Sequence, residues 1–286
     1  MKSIFLIVLF YCGLIAQPEN AIYGEWIAKI RVSKIWMELN IETESESYGR
    51  WNSNWGGWNG WNIRRYFEKE EFEGIQEGKE HTFKLIRDAG TIEFTGSFIG
   101  RTGAGDFVFK PNASFKEYLN KEGYGDIDIK KLLHMCLYNI NKKYIEELED
   151  LGFNDINSET LVALAIHDVS IPFIKEMRAA GLTENSLNKL VSFRIHGLEP
   201  QFIHHVEKLG YKGLNADKLL SMRIHGVDEE FINRVNEHFH EQIDIDKLIA
   251  MKIHGVTMNY IRRVSEMGLS QVPVNKLINM KIMGID

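Results

Sequence analysis

Residues 219–227 read Leu-Leu-Ser-Met-Arg-Ile-His-Gly-Val, and residues 248–256 read Leu-Ile-Ala-Met-Lys-Ile-His-Gly-Val. Each copy of this pattern starts 29 residues after the previous one, with no insertion between copies. The other copies begin at Leu132, Leu161, Leu190 and, in shortened form, Leu277. A fixed period of this length is typical of repeat proteins, in which each unit packs against its neighbours.

Each unit is predicted to contain two short helices, because apolar residues recur at helical spacing in two stretches. Glycine follows the second stretch, where it can adopt the left-handed conformation that ends a helix. These glycines are Gly123, Gly152, Gly181, Gly210 and Gly268. Phe239 takes this position in one unit, so a differently capped turn is expected there. Helices of about ten residues are marginal alone, which favours an α-solenoid of 29-residue helix-turn-helix repeats over residues 114–286.

Residues 22–112 have a different pattern, in which apolar and polar residues partly alternate as they do in strands. The stretches at 26–32, 35–41, 81–86, 91–98 and 106–109 show it, and glycine-rich turns separate the later ones. About six strands in roughly 90 residues predict an antiparallel β-sandwich or small barrel. The sequence therefore predicts an α+β chain, with a β-rich domain followed by a helical repeat array.

Residues 50–61 form a tryptophan-rich stretch with many glycines and asparagines, containing Trp51, Trp55, Trp58 and Trp61. One interpretation is an exposed aromatic surface that stacks on sugar rings or on a protein partner. The other is a mobile connection between strands, with some of the tryptophans folded onto the sheet. Gly and Asn favour the second interpretation, and the spacing is not a regular strand pattern.

The first 16 residues predict a signal peptide, because Lys2 precedes an apolar run that is too short to span a membrane. The chain is therefore expected to be exported, to a periplasm or to the extracellular space, with no transmembrane helix in its mature part. Cys136 is the single cysteine beyond this segment, so no disulfide is expected within the mature chain. The net charge of −6 argues against nucleic acid as a partner.

Four histidines occupy one position of the repeat: His167, His196, His225 and His254. Neighbouring packed helices lie about 8–10 Å apart, whereas zinc binds each nitrogen at about 2.1 Å. Consecutive units therefore cannot bring these side chains onto one ion, and no metal site is predicted. Each histidine is expected to pack or to form a hydrogen bond at the end of its helix.

A row of basic residues lies two positions before the histidines, comprising Arg194, Arg223, Lys252 and Lys281. It is a candidate surface for an acidic partner. The alternative is a solvated row that is paired with nearby acids such as Glu229 and Glu230. The chain has no H-E-x-x-H motif, no Gly-x-Ser-x-Gly motif and no phosphate-binding loop, so neither catalytic residues nor a cofactor are predicted.

The Ile-His-Gly-Val repeat, together with Arg87-Asp-Ala-Gly-Thr-Ile, residues 103–109 and Pro111-Asn112, resembles a known bacterial region. This region is the extracytoplasmic part of some Bla-regulator-type membrane metallopeptidases, and related stand-alone exported proteins are also similar. The resemblance covers about residues 22–286. The peptidase part of that family has a zinc-binding H-E-x-x-H motif and several membrane helices, which this chain lacks, so no catalytic residue carries over. The resemblance implies a sensing or docking module of the cell envelope.

We therefore expect an exported, non-enzymatic interaction scaffold whose partner is an envelope protein, such as a membrane regulator or a peptidase. The alternative is a sensor of a small molecule or glycan, in which the β-rich domain and its tryptophan-rich stretch bind the ligand. An undetected hydrolase is a third hypothesis, without a residue to support it.

Overall fold

A computed structural model describes residues 21–42, 60–76, 78–154, 156–183, 186–269 and 272–285. The predicted signal peptide lies outside these residues, as do Trp51, Trp55 and Trp58. The chain is α+β, with strands first and helices afterwards. It divides into two compact units, residues 1–141 and 142–286.

Seven antiparallel strands form one sheet in the order β3-β2-β1-β7-β6-β5-β4. The strands are β1 Ile22–Arg31, β2 Lys34–Glu42, β3 Gly60–Glu68, β4 Phe72–Glu73, β5 His81–Arg87, β6 Gly90–Ile99 and β7 Thr102–Pro111. The sheet curls into a half-barrel. The predicted antiparallel β-rich domain is therefore present. Of its two predicted forms, the curled sheet is closer to the small barrel than to the sandwich, because β1 pairs with both β2 and β7 and so joins all the strands into a single layer.

The concave face of the half-barrel holds an aromatic core around Trp26, which is fully buried. The rings of Phe83, Phe94 and Phe98 surround its indole, at centroid distances of 5.2 Å, 6.2 Å and 5.3 Å. Glycines in β6 and β7 make room for this core. A Cβ on Gly96 would lie 2.2 Å from a carbonyl oxygen of β7 and 2.8 Å from the Trp26 ring.

Twelve α-helices follow in the described part of the chain. They are α1 Ala113–Lys121, α2 Ile129–Leu137, α3 Lys142–Asp150, α4 Ser158–Ile166, α5 Ile171–Ala179, α6 Leu187–His196, α7 Pro200–Lys208, α8 Ala216–Ile224, α9 Glu229–Phe239, α10 Ile245–Ile253, α11 Met258–Glu266 and α12 Val274–Ile282. The change from strand to helix falls at Pro111–Ala113, between the two predicted domains. The boundary between the two compact parts of the chain lies later, after Asn141. Helices α1 and α2 therefore belong with the strands in residues 1–141, where α2 packs on β6 and β7.

Even-numbered and odd-numbered helices correspond to the first and second helices predicted for each repeat. Within residues 142–286, α4 contacts α6, α6 contacts α8, α10 contacts α12, and α3 contacts α5. Contacts of this kind join helices one period apart, as packing of repeats on one another requires. None of the helices that the structure describes has the length and apolarity needed to cross a membrane.

The second helices end as predicted, with glycine in the left-handed region, and α9 is the exception. Gly152, Gly181, Gly210 and Gly268 have φ values of 85°, 89°, 93° and 86°. In α9, where Phe239 replaces glycine, the helix extends to 11 residues and His240 takes the left-handed conformation at φ 53°. The side chain of Asn236 then accepts a hydrogen bond from the amide of Ile243 at 2.9 Å. The expectation of a different cap is confirmed.

Candidate interaction surfaces

The predicted basic row lies near the carboxyl ends of α6, α8, α10 and α12, where each cation covers an aromatic ring of the preceding unit. The pairs are Arg194 on Phe173 at 4.9 Å, Arg223 on Phe202 at 5.0 Å, Lys252 on Phe231 at 4.2 Å and Lys281 on Tyr260 at 4.9 Å from the ring centroid. A cation over a ring face is attracted by the ring quadrupole. The row therefore has a structural role, since it joins each unit to the one before.

Hydrogen bonds to backbone carbonyls reinforce this contact for both arginines. Arg194 donates from Nε to the carbonyl of His167 at 3.2 Å, and Arg223 donates to that of His196 at 3.3 Å. Arg194 also forms ion pairs with Asp168 at 2.6 Å and Glu199 at 2.7 Å. These arginines therefore satisfy carbonyls that the end of a helix leaves without an intrahelical partner.

The acids around the rest of the row differ from those expected. Glu229 lies 3.6 Å from His205, and Glu230 pairs with Arg234 at 3.3 Å, so neither pairs with the basic row. Among the described residues, Arg223 has no carboxylate partner within 4.0 Å, and the same holds for Lys252. The middle of the row therefore carries positive charge that the chain does not neutralise by ion pairing.

The four histidines of the repeat lie at or next to the carboxyl-terminal caps of their helices. His196, His225 and His254 are exposed, and His167 is half-buried. Within the described ranges no group of three His, Cys, Asp or Glu side chains is placed to hold a metal ion. The contribution visible in the structure is made by the backbone, through the carbonyls of His167 and His196.

An exposed isoleucine stands directly before each of the four histidines, and Ile282 takes the same repeat position before Met283, a feature that the sequence analysis overlooked. The isoleucine row consists of Ile166, Ile195, Ile224, Ile253 and Ile282. Their side chains are between 42% and 58% exposed, although isoleucine is among the residues most often buried. The isoleucine row was visible in the sequence as an apolar residue that recurs at one position of the repeat, near the basic residues and the histidines. The sequence pattern alone does not separate this exposed position from the buried apolar positions of the repeat.

The corresponding residue of the first unit is buried. Leu137 stands 29 positions before Ile166, and it is 1% exposed. In this unit α2 packs on the sheet, and Arg65 of β3 donates to the carbonyl of Leu137 and stacks on Tyr138 at 4.7 Å. The thiol of Cys136 lies 3.4 Å from the carbonyl of Gly90 in β6. Leu137, which holds the same repeat position as the isoleucine row, is thus part of an intramolecular interface.

The tryptophan-rich stretch enters the described residues only at Trp61, whose backbone pairs with Ile41 in the β2–β3 ladder. Another aromatic pair lies on the opposite face of the sheet from the core. Trp36 and Tyr66 are cross-strand neighbours there, and Tyr66 is 48% exposed. Two residues along β2, the carboxylate of Glu38 is held by Arg64 at 2.9 Å and by Asn62 at 3.2 Å.

Helices α9 and α11 border a shallow groove of about 350 Å³, which is open to solvent. Arg234, Arg262 and Ser265 line it. Each of them is engaged on its own helix, as Arg234 pairs with Glu230 and Ser265 donates to the carbonyl of Ile261 at 3.0 Å. Local pairing of this kind does not distinguish the groove as a site.

Comparison with known proteins found no matching family model, no matching curated protein and no matching solved structure. The assignment of function therefore depends on the geometry of the chain itself.

Proposed function

We propose that this chain is a non-enzymatic docking scaffold of the bacterial cell envelope, and that its partner is another protein. The helical repeats form a solenoid, and the isoleucine row is the line along which the partner docks. The basic row lies beside it and gives the surface its positive charge. Export depends on the predicted signal peptide, and the envelope location also draws on the resemblance to extracytoplasmic regions of membrane metallopeptidases.

The exposure of the isoleucine row is the observation that carries this proposal. A large apolar side chain in water forgoes about 1.5–3 kcal/mol of burial free energy, and single exposed apolar residues need no explanation. Here the exposed residue recurs at the same repeat position in five units. Folding of the repeat unit does not account for an isoleucine at this position, because the side chain contributes little to the core. Burial by a partner would account for it.

Site-specific photo-crosslinking in the living cell tests the proposal. The full chain would carry a photoreactive phenylalanine analogue at Ile224 or Ile253, and a matched control would carry it at Glu237, which is exposed on α9. We expect discrete crosslinked proteins from both isoleucine positions and none of the same species from Glu237. Crosslinks from the control alone, or from no position, would contradict the proposal.

The Trp36–Tyr66 pair supports a second candidate function, that of a glycan sensor. Exposed aromatic rings stack on the apolar faces of sugars, and nearby charged and amide groups can bind hydroxyls. Glu38, Arg64 and Asn62 supply such groups on the same face. Tryptophan emission of the wild type and of Trp36→Leu would be titrated with cell-wall fragments. A change that requires Trp36 would support this function, and unchanged emission of the wild type would exclude it for those glycans.

A further inference from the structure

We infer that the segment docking on the isoleucine row is an amphipathic α-helix with acidic residues beside its apolar stripe. This inference rests on the proposed function, because it specifies the chemistry of the partner at the same surface. It draws on three observations: the burial of Leu137, the state of the backbone groups along the row, and the unpaired cations in its middle.

The first observation is that the corresponding position of the first repeat is already buried within the chain. At Leu137 the repeat position is covered, in the unit where α2 packs on the sheet. At Ile166 and in the units that follow it is exposed. The same position is therefore able to bury an apolar side chain against another element. Four of the later copies lie on α6, α8, α10 and α12, where α6 packs on α8, α10 packs on α12, and Lys218 of α8 pairs with Asp246 of α10. These copies form a line for one elongated occupant.

The second observation is that several backbone groups beside the row already have hydrogen-bond partners. The amides of Leu198, Val227 and Val256 each donate at 2.8 Å to a carbonyl of the preceding helix. The carbonyls of His167 and His196 accept from arginines. An extended segment needs backbone partners that a strand edge would supply, and this row offers side chains instead. A helix pairs its own backbone, so it loses nothing by lying on such a surface.

The spacing of the row also suits a helix. Packed helices lie about 8–10 Å apart, so consecutive isoleucines are separated by about that distance. A helix rises about 10.5 Å in seven residues, and a heptad pattern would therefore place one apolar residue over each isoleucine. An extended chain covers the same distance in about three residues.

The third observation concerns charge. Arg194 is paired with Asp168 and Glu199, whereas Arg223 and Lys252 have no carboxylate within 4.0 Å among the described residues. Each lies one position before an isoleucine of the row, and an exposed histidine follows that isoleucine. Acidic side chains flanking the apolar stripe of the partner would pair with these cations. A basic helix would be repelled by them.

Crosslink positions in the captured partner test the helix. The photoreactive residue would be placed in separate full-length chains at Ile195, Ile224 and Ile253, and the crosslinked residues of the partner would be identified by mass spectrometry. We expect sites about seven residues apart, in a segment with acidic residues. Sites about three residues apart would identify an extended occupant, and crosslinks to the chain itself would identify a second copy. An extended occupant or scattered sites would overturn the inference and leave the docking function standing, whereas a second copy would overturn both the inference and the proposal that the partner is another protein.

Charge is tested with variants that keep the rings covered. Arg223→Met with Lys252→Met removes both charges but retains an apolar side chain over Phe202 and Phe231. We expect a severalfold loss of crosslinking at Ile224 and the same loss in wild type at high salt. Lys175→Met, which removes an exposed cation away from the row, is the matched control. Equal yields in all variants would overturn the acidic partner. The absence of any crosslink in wild type would instead count against the proposed function.

Discussion

Tyr144 and Tyr260 occupy the same position in their repeat units, where other units have phenylalanine. Each donates its hydroxyl to a carbonyl 25 residues later, Tyr144 to Val169 at 2.7 Å and Tyr260 to Ile285 at 2.8 Å. The ring column was visible in the sequence, but these hydroxyl bonds were not. A single hydroxyl gives no periodic signal, and the acceptor is a backbone atom of a turn.

Tyr144→Phe removes one such hydrogen bond without changing the ring. We expect a loss of about 1 kcal/mol in the free energy of unfolding at pH 7, since the buried carbonyl loses its partner. Phe173 in the next unit shows that the position accepts phenylalanine. Urea denaturation measures the effect, with Tyr66→Phe on the exposed face of the sheet as the control. An equally stable Tyr144→Phe protein would contradict the assigned bond.

The same residue predicts a dependence on alkaline pH. Burial, and to a smaller extent the charge of Asp168, raise the pKa of Tyr144 above its ordinary value. The unfolded chain therefore releases this proton first, so the stabilising contribution is complete below about pH 10 and is lost as pH rises further. We expect the difference in unfolding free energy between wild type and Tyr144→Phe to shrink between pH 7 and pH 10.5. A constant difference would contradict this.

Cys136 is buried in α2, and burial raises its pKa to about 12. Because the thiolate is the reactive form, we expect almost no reaction with a thiol reagent at pH 8 in the folded protein. The measurement would use a Cys12→Ser background, so that only one thiol is counted. Labelling should appear with urea at the unfolding transition. Rapid labelling of the folded protein would show that the thiol is accessible.

At the scale of the element, the caps explain how much of the helical pattern could be predicted. The glycines after the second helices stand where the sequence predicts that these helices end, because a cap signal acts over a few residues. Asparagine, aspartate and serine side chains cap the start of α2, α4, α6, α8 and α10. A second left-handed position follows the first helix of each repeat unit. Asn139 and Asp168 adopt the left-handed conformation there, at φ 56° and 54°, where later units have glycine.

Gly226 is a suitable test of this cap, since its φ is 69° and a Cβ would meet no atom within 4 Å. The cost of a substitution is therefore the backbone strain alone. We expect Gly226→Ala to lower the free energy of unfolding by about 1 kcal/mol, and Gly226→Asn to lower it less, as Asn139 holds the same position in the first unit. Thermal unfolding of both variants gives the comparison. An alanine variant as stable as the asparagine variant would contradict the assignment.

At the scale of the whole molecule, the α+β class followed from the change of hydrophobic period near residue 112. The single curled sheet did not, because strand alternation says which residues face one side but not which strands pair. The isoleucine row was missed for a related reason. Periodicity identified Ile224 and its equivalents as repeated residues, and only the packed structure shows them to be exposed.

A deletion of one full 29-residue period tests whether residues 142–286 are built from interchangeable repeat units. Removing residues 198–226 joins Gly197 to Val227 and recreates the sequence junction found in the native chain. We expect a folded, cooperatively unfolding protein, because the helix pairs α4–α6, α6–α8, α10–α12 and α3–α5 pack one period apart. Removing residues 198–211 leaves an unmatched first helix and serves as the comparison. Circular dichroism and urea unfolding report the result, and equal loss of structure in both deletions would contradict the modular construction.

Each cation of the basic row stacks on a ring supplied by the unit before it. An in-frame duplication of one full period therefore carries both kinds of contact residue. Its arginine or lysine can stack on the ring of the preceding unit, and its aromatic ring can receive the cation of the following unit. Gain or loss of whole units would therefore change the length of the protein without requiring a new interface between units. The number of repeat units, and with it the length of the isoleucine row, could then evolve while the fold of each unit stays the same.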